Sequence, residues 1–170
     1  MIEIREPVEA EAEALARCQL ACWRDTYTGL VDPDLLADLL GRGEERAVRW
    51  REILVDPSRH RVASDDGTLV GFASAGPPFD DDATTALQLY ALYVRRSHWD
   101  TGLGHRLLTT SVGDASATLW VLKNNERARR FYAAHGFAPD GTEQEEFHFR
   151  APEIRMVRLG KPAGPRPDGH

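Results

Sequence analysis

Leu92 to Leu108 encodes a strand, a turn and a helix, and this segment constrains the chain more than any other. Ala86 to Val94 is rich in strand-forming side chains and gives way to Arg95-Arg96-Ser97-His98-Trp99-Asp100-Thr101. Gly102-Leu103-Gly104 follows, and Leu103, Leu107, Leu108 and Val112 then recur at helical spacing. The first turn of a helix carries unpaired amide hydrogens and the positive end of the dipole. Glycines leave those amides uncovered, so such a start can hold a phosphate. Arg95, Arg96 and Arg106 add positive charge nearby. A plain turn explains Gly-x-Gly equally well when it is taken alone. Leu107 stands where a third glycine would be needed and no Gly-Lys-Ser/Thr ending is present, which sets nucleotide hydrolysis and dinucleotide binding aside.

The rest of the chain fits around that unit. Ile2–Arg5 alternates as a short strand, and Pro7 suits the first turn of a helix that carries Leu15, Cys18 and Cys22 and stops near Gly29. Two helices are predicted over Asp32–Leu40 and Glu44–Val55. Asp66-Gly67 is hairpin-turn chemistry between Arg61–Ser64 and Thr68–Ala75. Thr118–Leu122 reads as a buried strand, and Glu126–His135 as a helix ended by Gly136. Phe137–Pro139 and Phe147–Leu159 are expected as closing strands, and the Gly- and Pro-rich 160–170 as a disordered tail. The strand–helix–strand unit in the second half implies a parallel pair within a mostly antiparallel sheet. The fold class is α/β, one domain over 1–159, with a central mixed sheet flanked by helices.

A net charge of −6 argues against a nucleic-acid partner, which needs a basic face. No apolar stretch is long enough to span a bilayer, so no membrane partner is expected. The charged Met1–Pro7 does not read as a secretory signal, which points to the cytoplasm. Cys18 and Cys22 have no clustered His or Cys partner, so they read as buried thiols and no metal is expected.

Two later stretches complete the pattern. One is Thr118-Leu119-Trp120-Val121-Leu122-Lys123-Asn124-Asn125. The other is Asn125-Glu126-Arg127-Ala128-Arg129-Arg130-Phe131-Tyr132-Ala133-Ala134-His135-Gly136-Phe137. With the strand–loop–Gly-x-Gly unit before them, they resemble the GNAT superfamily of acetyl-CoA-dependent N-acetyltransferases from about Gln88 to Phe137. Glu153-Ile154-Arg155-Met156 is similar to the final strand of many members, and Trp23-Arg24-Asp25-Thr26-Tyr27 to a stretch in polyamine-acetylating relatives.

The resemblance implies acetyl-CoA as cosubstrate and a small-molecule amine as acceptor, with a homodimer compatible. It implies that the backbone of Leu92, Tyr93 and Val94 pairs with the pantetheine arm. It implies that Trp99, Asp100, Thr101, Gly102, Leu103, Gly104 and His105 hold the pyrophosphate, that Asn125 bonds the pantetheine amide, and that Tyr132 stands beside the sulfur. Trp99 replaces the Gln or Arg usual in the family, leaving its backbone N–H to serve. Gln88 replaces a frequent glutamate base and cannot take a proton.

Acetyl transfer needs a neutral amine, yet an alkyl amine has a pKa of about 10.4. Asp25, Tyr27, Tyr90 or a water chain remain as proton acceptors, with Gln88 as a substrate contact. The amide of Leu92 or Tyr93 would meet the oxyanion. Tyr132 would protonate the thiolate as catalytic acid, although a core tyrosine is an alternative. Asn125 can equally be a helix cap. A lysine or N-terminus of a protein is the rival acceptor, and an acyl-CoA-binding sensor without turnover is the rival class.

Overall fold

The computed structural model describes residues 1–160; the rest of the expected tail lies outside the described residues. In chain order the elements are β1 (Ile2–Arg5), α1 (Ala12–Tyr27), α2 (Pro33–Leu40), α3 (Gly43–Ile53), β2 (His60–Asp65) and β3 (Thr68–Gly76). There follow β4 (Gln88–Val94), α4 (Leu103–Val112), β5 (Ala117–Leu122), α5 (Glu126–Ala134), β6 (Ala138–Glu145) and β7 (Pro152–Arg158). The seven strands form one sheet in the order β1-β2-β3-β4-β5-β7-β6. Every pairing is antiparallel except β4–β5. The mixed, mostly antiparallel sheet flanked by helices is therefore as the sequence indicates.

Local chemistry sets the boundaries. The first helix starts beyond Pro7: a 3₁₀ turn over Glu9–Glu11 leads straight into α1, with Glu11 accepting the Val8 amide at 2.9 Å at its cap and held in turn by Arg5 at 3.0 and 2.6 Å. That knot turns the chain away from β1 before the helix starts. Asp32 caps α2 by accepting from the amides of Asp34 and Leu35, with Pro33 at the first helical position. Asp66 and Gly67, at φ 48° and 86°, form the tight turn of the β2–β3 hairpin.

Helices α1 and α3 cover one face of the sheet, packing Leu15, Cys22, Ala47 and Trp50 against Val62 and Phe72. Helices α4 and α5 cover the other, where Leu108, Val112 and Tyr132 meet Leu89, Leu119 and Met156.

Two expectations are corrected. Phe147–Arg150 is a turn, not strand, and Phe147 is exposed. The strand instead continues from Ala138 through Pro139 and Gly141 to Glu145, a polar, exposed edge where a proline is tolerated. Gly160 is tied down, its amide donating to Ser116 Oγ at 2.7 Å.

Candidate active site

Strands β4 and β5 stay paired for only two residues, Gln88 with Thr118 and Leu89 with Leu119, and then part. On the other edge of β4, Leu89 faces Ala75 and Ala91 faces Ser74, so Tyr90 is an extra, unpaired residue. Such a bulge bends its strand, here at the point of parting. A cavity of about 1340 Å³ fills the opening and runs from Gly102–His105 at one end to Glu146 and Glu153 at the other.

The register decides which backbone groups face that gap. The Arg95 amide donates to the Val70 carbonyl at 2.8 Å. Hydrogen-bonded residues alternate along an antiparallel pair, so Tyr93 is also bonded to β3, while Leu92 and Val94 turn their peptide groups toward β5. In agreement, the Tyr93 carbonyl lies so close to β3 that a Cβ on Gly71 would sit 2.7 Å from it. The Val94 carbonyl already accepts Trp99 Nε1 at 2.8 Å. Of the three residues expected to present backbone, Leu92 is therefore the one with both groups toward the gap, and Tyr93 is removed from the oxyanion and pairing roles.

At the start of α4 the amides of Gly102 to His105 donate to no carbonyl among the described residues. Gly102 sits at φ 85° with open space where a Cβ would be. Gly104 does something else: a Cβ there would lie 3.3 Å from Phe131, so this glycine lets α4 and α5 approach closely. Trp99 does not offer its amide, which donates to Arg96 O at 3.1 Å. Its indole instead meets the guanidinium groups of Arg96 and Arg127, at 5.0 and 4.0 Å from the ring centroid. Arg127 also reaches Asp100 at 3.4 Å, and Thr101 Oγ1 donates to His98 O at 2.6 Å. Leu103 is buried against Leu107 and Val94.

His105 Nδ1 lies 2.9 Å from His135 Nε2, and His135 Nδ1 lies 2.7 Å from the Phe131 carbonyl. A carbonyl only accepts, so neutral His135 carries its proton on Nδ1 and takes the proton of His105 Nδ1. That leaves His105 Nε2 as the free ring nitrogen.

Asn125 caps α5, its Oδ1 accepting from Ala128 N at 3.2 Å, and it also lines the cavity, so the two readings of this residue coexist. Tyr132 is 8% exposed, packs on Phe137 and lines the cavity. Burial, and then the neighbouring Tyr93, raise its pKa, which keeps the hydroxyl protonated.

The expected proton acceptors do not suit that task. Asp25 accepts from Arg95 Nε at 2.7 Å and from the Arg96 amide at 2.9 Å. Burial opposes its ionisation, but the Arg95 and Arg96 bonds outweigh it and hold the pKa low, making Asp25 a tie between α1 and the loop. Tyr27 and Tyr93 share a hydroxyl–hydroxyl bond of 2.6 Å. Burial pushes Tyr27 well above the usual phenol value and Tyr93 up to about 12, so both stay neutral. Tyr90 donates its hydroxyl to the Pro77 carbonyl and stacks on Phe79, and burial raises its pKa too. Gln88 is buried, with Oε1 accepting the Phe79 amide at 2.9 Å. Gln88 and Tyr90 thus brace the β3–β4 loop at the cavity wall.

At the far end the sequence offered Asp80–Asp82, Glu143, Glu145 and Glu146 as charges that could attract a cationic amine, but gave Glu153 and Arg155 no role. Glu153 lines the cavity opposite Leu122, and Gln144 Nε2 donates to it at 2.6 Å. Burial, outweighing Gln144 and joined by Glu146 and Asp80, raises its pKa. Arg155, 7% exposed, gathers Asp80, Asp82 and Asp140 at 3.4, 2.7 and 2.6 Å. The inward alternation of Ile154 and Met156 was the available signal. It turns Glu153 and Arg155 to the opposite face, but only the β5–β7 register shows what they meet.

A mixed sheet with one splayed parallel pair and an open helix start beside it defines an acyltransferase that takes its acyl group from a coenzyme A thioester. The comparisons agree. Residues 16–137 match the family described as Acetyltransferase (GNAT) family. A probable N-acetyltransferase of Mycobacterium tuberculosis is 30% identical over 149 residues, 82% of each chain. An uncharacterized N-acetyltransferase of Bacillus subtilis is 27% identical over 169 residues, covering 95% of this chain and 94% of its own. Among solved structures, the PaiA N-acetyltransferase of Thermoplasma acidophilum in complex with coenzyme A superposes with a TM-score of 0.67 at 20% identity, over 94% of this chain and 99% of its own. The chain belongs to the GNAT acetyltransferase family.

Proposed function

We propose that this protein transfers acetyl from acetyl-CoA directly to a primary amine of a small molecule. It acts in the cytoplasm as one domain over 1–159. The observation that carries the reading is the parting of β4 and β5 in line with the uncovered amides of Gly102–His105. The amides hold the pyrophosphate through dipole and hydrogen bonds, and Asp100 and Thr101 shape their approach. The pantetheine arm then runs along Leu92 as an added strand, with Asn125 offering its side-chain nitrogen. Leu92 N–H faces the thioester carbonyl, where charge develops.

Tyr132 donates its proton to the departing thiolate. No covalent intermediate is needed. Cys18 and Cys22 are buried among α1, α3 and β3, and Cys22 is held protonated by its bond to Cys18 and by burial. Among the described residues no helix is long and apolar enough to cross a membrane and no group of side chains suits a metal.

The test is thiol release from acetyl-CoA across a panel of small amines, peptides and lysine-bearing proteins. Small amines are expected to be used best. Coenzyme binding without any turnover would favour a sensor instead. Tyr132→Phe should lower kcat about tenfold while coenzyme affinity holds, because a thiolate leaves tolerably without an acid. Equal kcat in stopped-flow assays would remove Tyr132 from the acid role. Asp25→Ala should raise KM for acetyl-CoA severalfold through the freed Arg95–Arg96 loop and leave the pH–rate profile in place; a lost limb of that profile would restore Asp25 as the base.

A further inference from the structure

Resting on the acetyl-transfer reading, we infer that Glu153 is the proton acceptor for the incoming amine.

Its position is the first reason. Tyr132 reaches the cavity from the face covered by α4 and α5, in the cluster that holds Leu119 and Val121. Glu153 pairs with Leu122, whose side chain packs against α1 and α2 on the opposite face. Because β4 and β5 have parted here, one cavity passes between them and both residues line it. Acid and base therefore approach the gap from opposite faces. A thioester threaded through it can receive the amine from one side while the thiol departs toward the other.

Availability is the second reason. Apart from Glu146, the other carboxylates at this end are committed to cations. Asp80 accepts from Trp120 Nε1 at 2.9 Å and joins Asp82 and Asp140 around Arg155. Glu143 holds Lys123 at 3.0 Å, and Glu146 accepts the Phe149 amide at 2.6 Å. Glu153 takes one hydrogen bond, from Gln144, and pairs with no cation among the described residues. Arg155, its neighbour on β7, is turned to the aspartates. Across the cavity Arg46 lies over the Trp23 ring at 4.8 Å, and the half-buried His148 has its pKa lowered by burial. The charges that bear on Glu153 are negative, those of Glu146 and Asp80. A cationic ammonium is drawn to such a corner, and a carboxylate there accepts a proton more readily than one in water.

The ammonium gives one proton to the Glu153 carboxylate, and its freed nitrogen attacks the acetyl carbonyl carbon, forming C–N. The C–S bond breaks, and the thiolate takes the Tyr132 hydroxyl proton. Of the two protons left on the new nitrogen, one stays in the amide and the other passes through solvent to restore Tyr132, while Glu153 releases its own to solvent. The products are an amide, a free thiol and one proton.

The experiment measures kcat/KM against pH for wild type, Glu153→Gln and Glu153→Asp, with a simple diamine and with 2,2,2-trifluoroethylamine, which is unprotonated at neutral pH. CoA affinity is read by calorimetry alongside. Glu153→Gln should lower kcat/KM for the diamine about a hundredfold at neutral pH, flatten the acid limb and leave CoA affinity unchanged. It should lose much less with trifluoroethylamine, which has no proton to surrender, and Glu153→Asp should keep the limb. An intact acid limb in Glu153→Gln, or an equal loss with both amines, overturns the assignment. Absence of CoA binding or of thiol release by wild type overturns the acetyl-transfer reading itself, and the assignment with it.

Discussion

Calorimetry on Gly102→Glu is expected to show CoA affinity lowered by about a thousandfold or more. Gly102 holds φ 85° at the start of α4, with nothing within 4 Å of a Cβ position. A non-glycine residue in that conformation costs about 1 kcal/mol or somewhat more. The larger effect is charge. A carboxylate about 4 Å from a phosphate opposes it by about 4 kcal/mol at the effective dielectric of a protein surface. Each 1.4 kcal/mol is about tenfold in affinity, so the charge alone accounts for the expected loss. Gly102→Ala separates the two contributions, since it introduces the strain into open space without the charge, and should retain most of the affinity. A folded Gly102→Glu that binds CoA like wild type would remove the pyrophosphate from the start of α4.

Arg155→Met should cost about 3 kcal/mol of folding free energy in denaturant titrations, the lower end for a buried ion pair that loses one partner. Arg155 sits on β7 and holds Asp80 and Asp82 from the β3–β4 loop together with Asp140 and Thr142 from β6. Removing it leaves three carboxylates facing one another. Asp82 is 70% exposed, so water screens one limb, and the full penalty of a sealed network is not expected. The same change frees Asp80, which otherwise fixes the Trp120 indole at the cavity wall, so KM for the amine should rise as stability falls. A variant as stable as wild type would show that the aspartates repel one another little without their arginine.

The pH dependence of the reaction follows from Glu153. Its pKa is raised, and the ionised form accepts the proton, so activity should climb with pH through a limb displaced above the ordinary carboxylate range. Maximum activity lies on the alkaline side of that limb, where Tyr132 and Tyr93 still keep their protons.

The local parts of the fold were legible because they are written in short-range chemistry. Asp66-Gly67 dictates its turn, Asp32-Pro33 its helix start, and Gly102-Leu103-Gly104 the opening of α4, each within a few residues. Only the start of β6 was legible, at Ala138-Pro139, since Asp140 and Gly141 are turn residues by type. Only pairing with β7 makes strand of them. The site divided the same way. Tyr132 and Asn125 lie in a motif that positions them by helical spacing from its own glycine and cap. Trp99 was read as a loop amide, yet its ring reaches Val94 and two arginines, contacts that depend on how the loop folds back. Glu153 depends on three strands coming into register: the alternation of Ile154 and Met156 gives its face, but not what it meets there.

Two residue pairs are all that join β4 to β5. The molecule is thus built as two plates, β1–β4 and β5–β7, stitched at one corner, with a slot above the stitch. Peptide groups bordering that slot must bond to water or to whatever enters it. A chain-like ligand lying there becomes a temporary eighth strand that ties plate to plate. Amide exchange along β5 and the Leu92 edge should therefore slow together when CoA is added, as the two plates come to open as one.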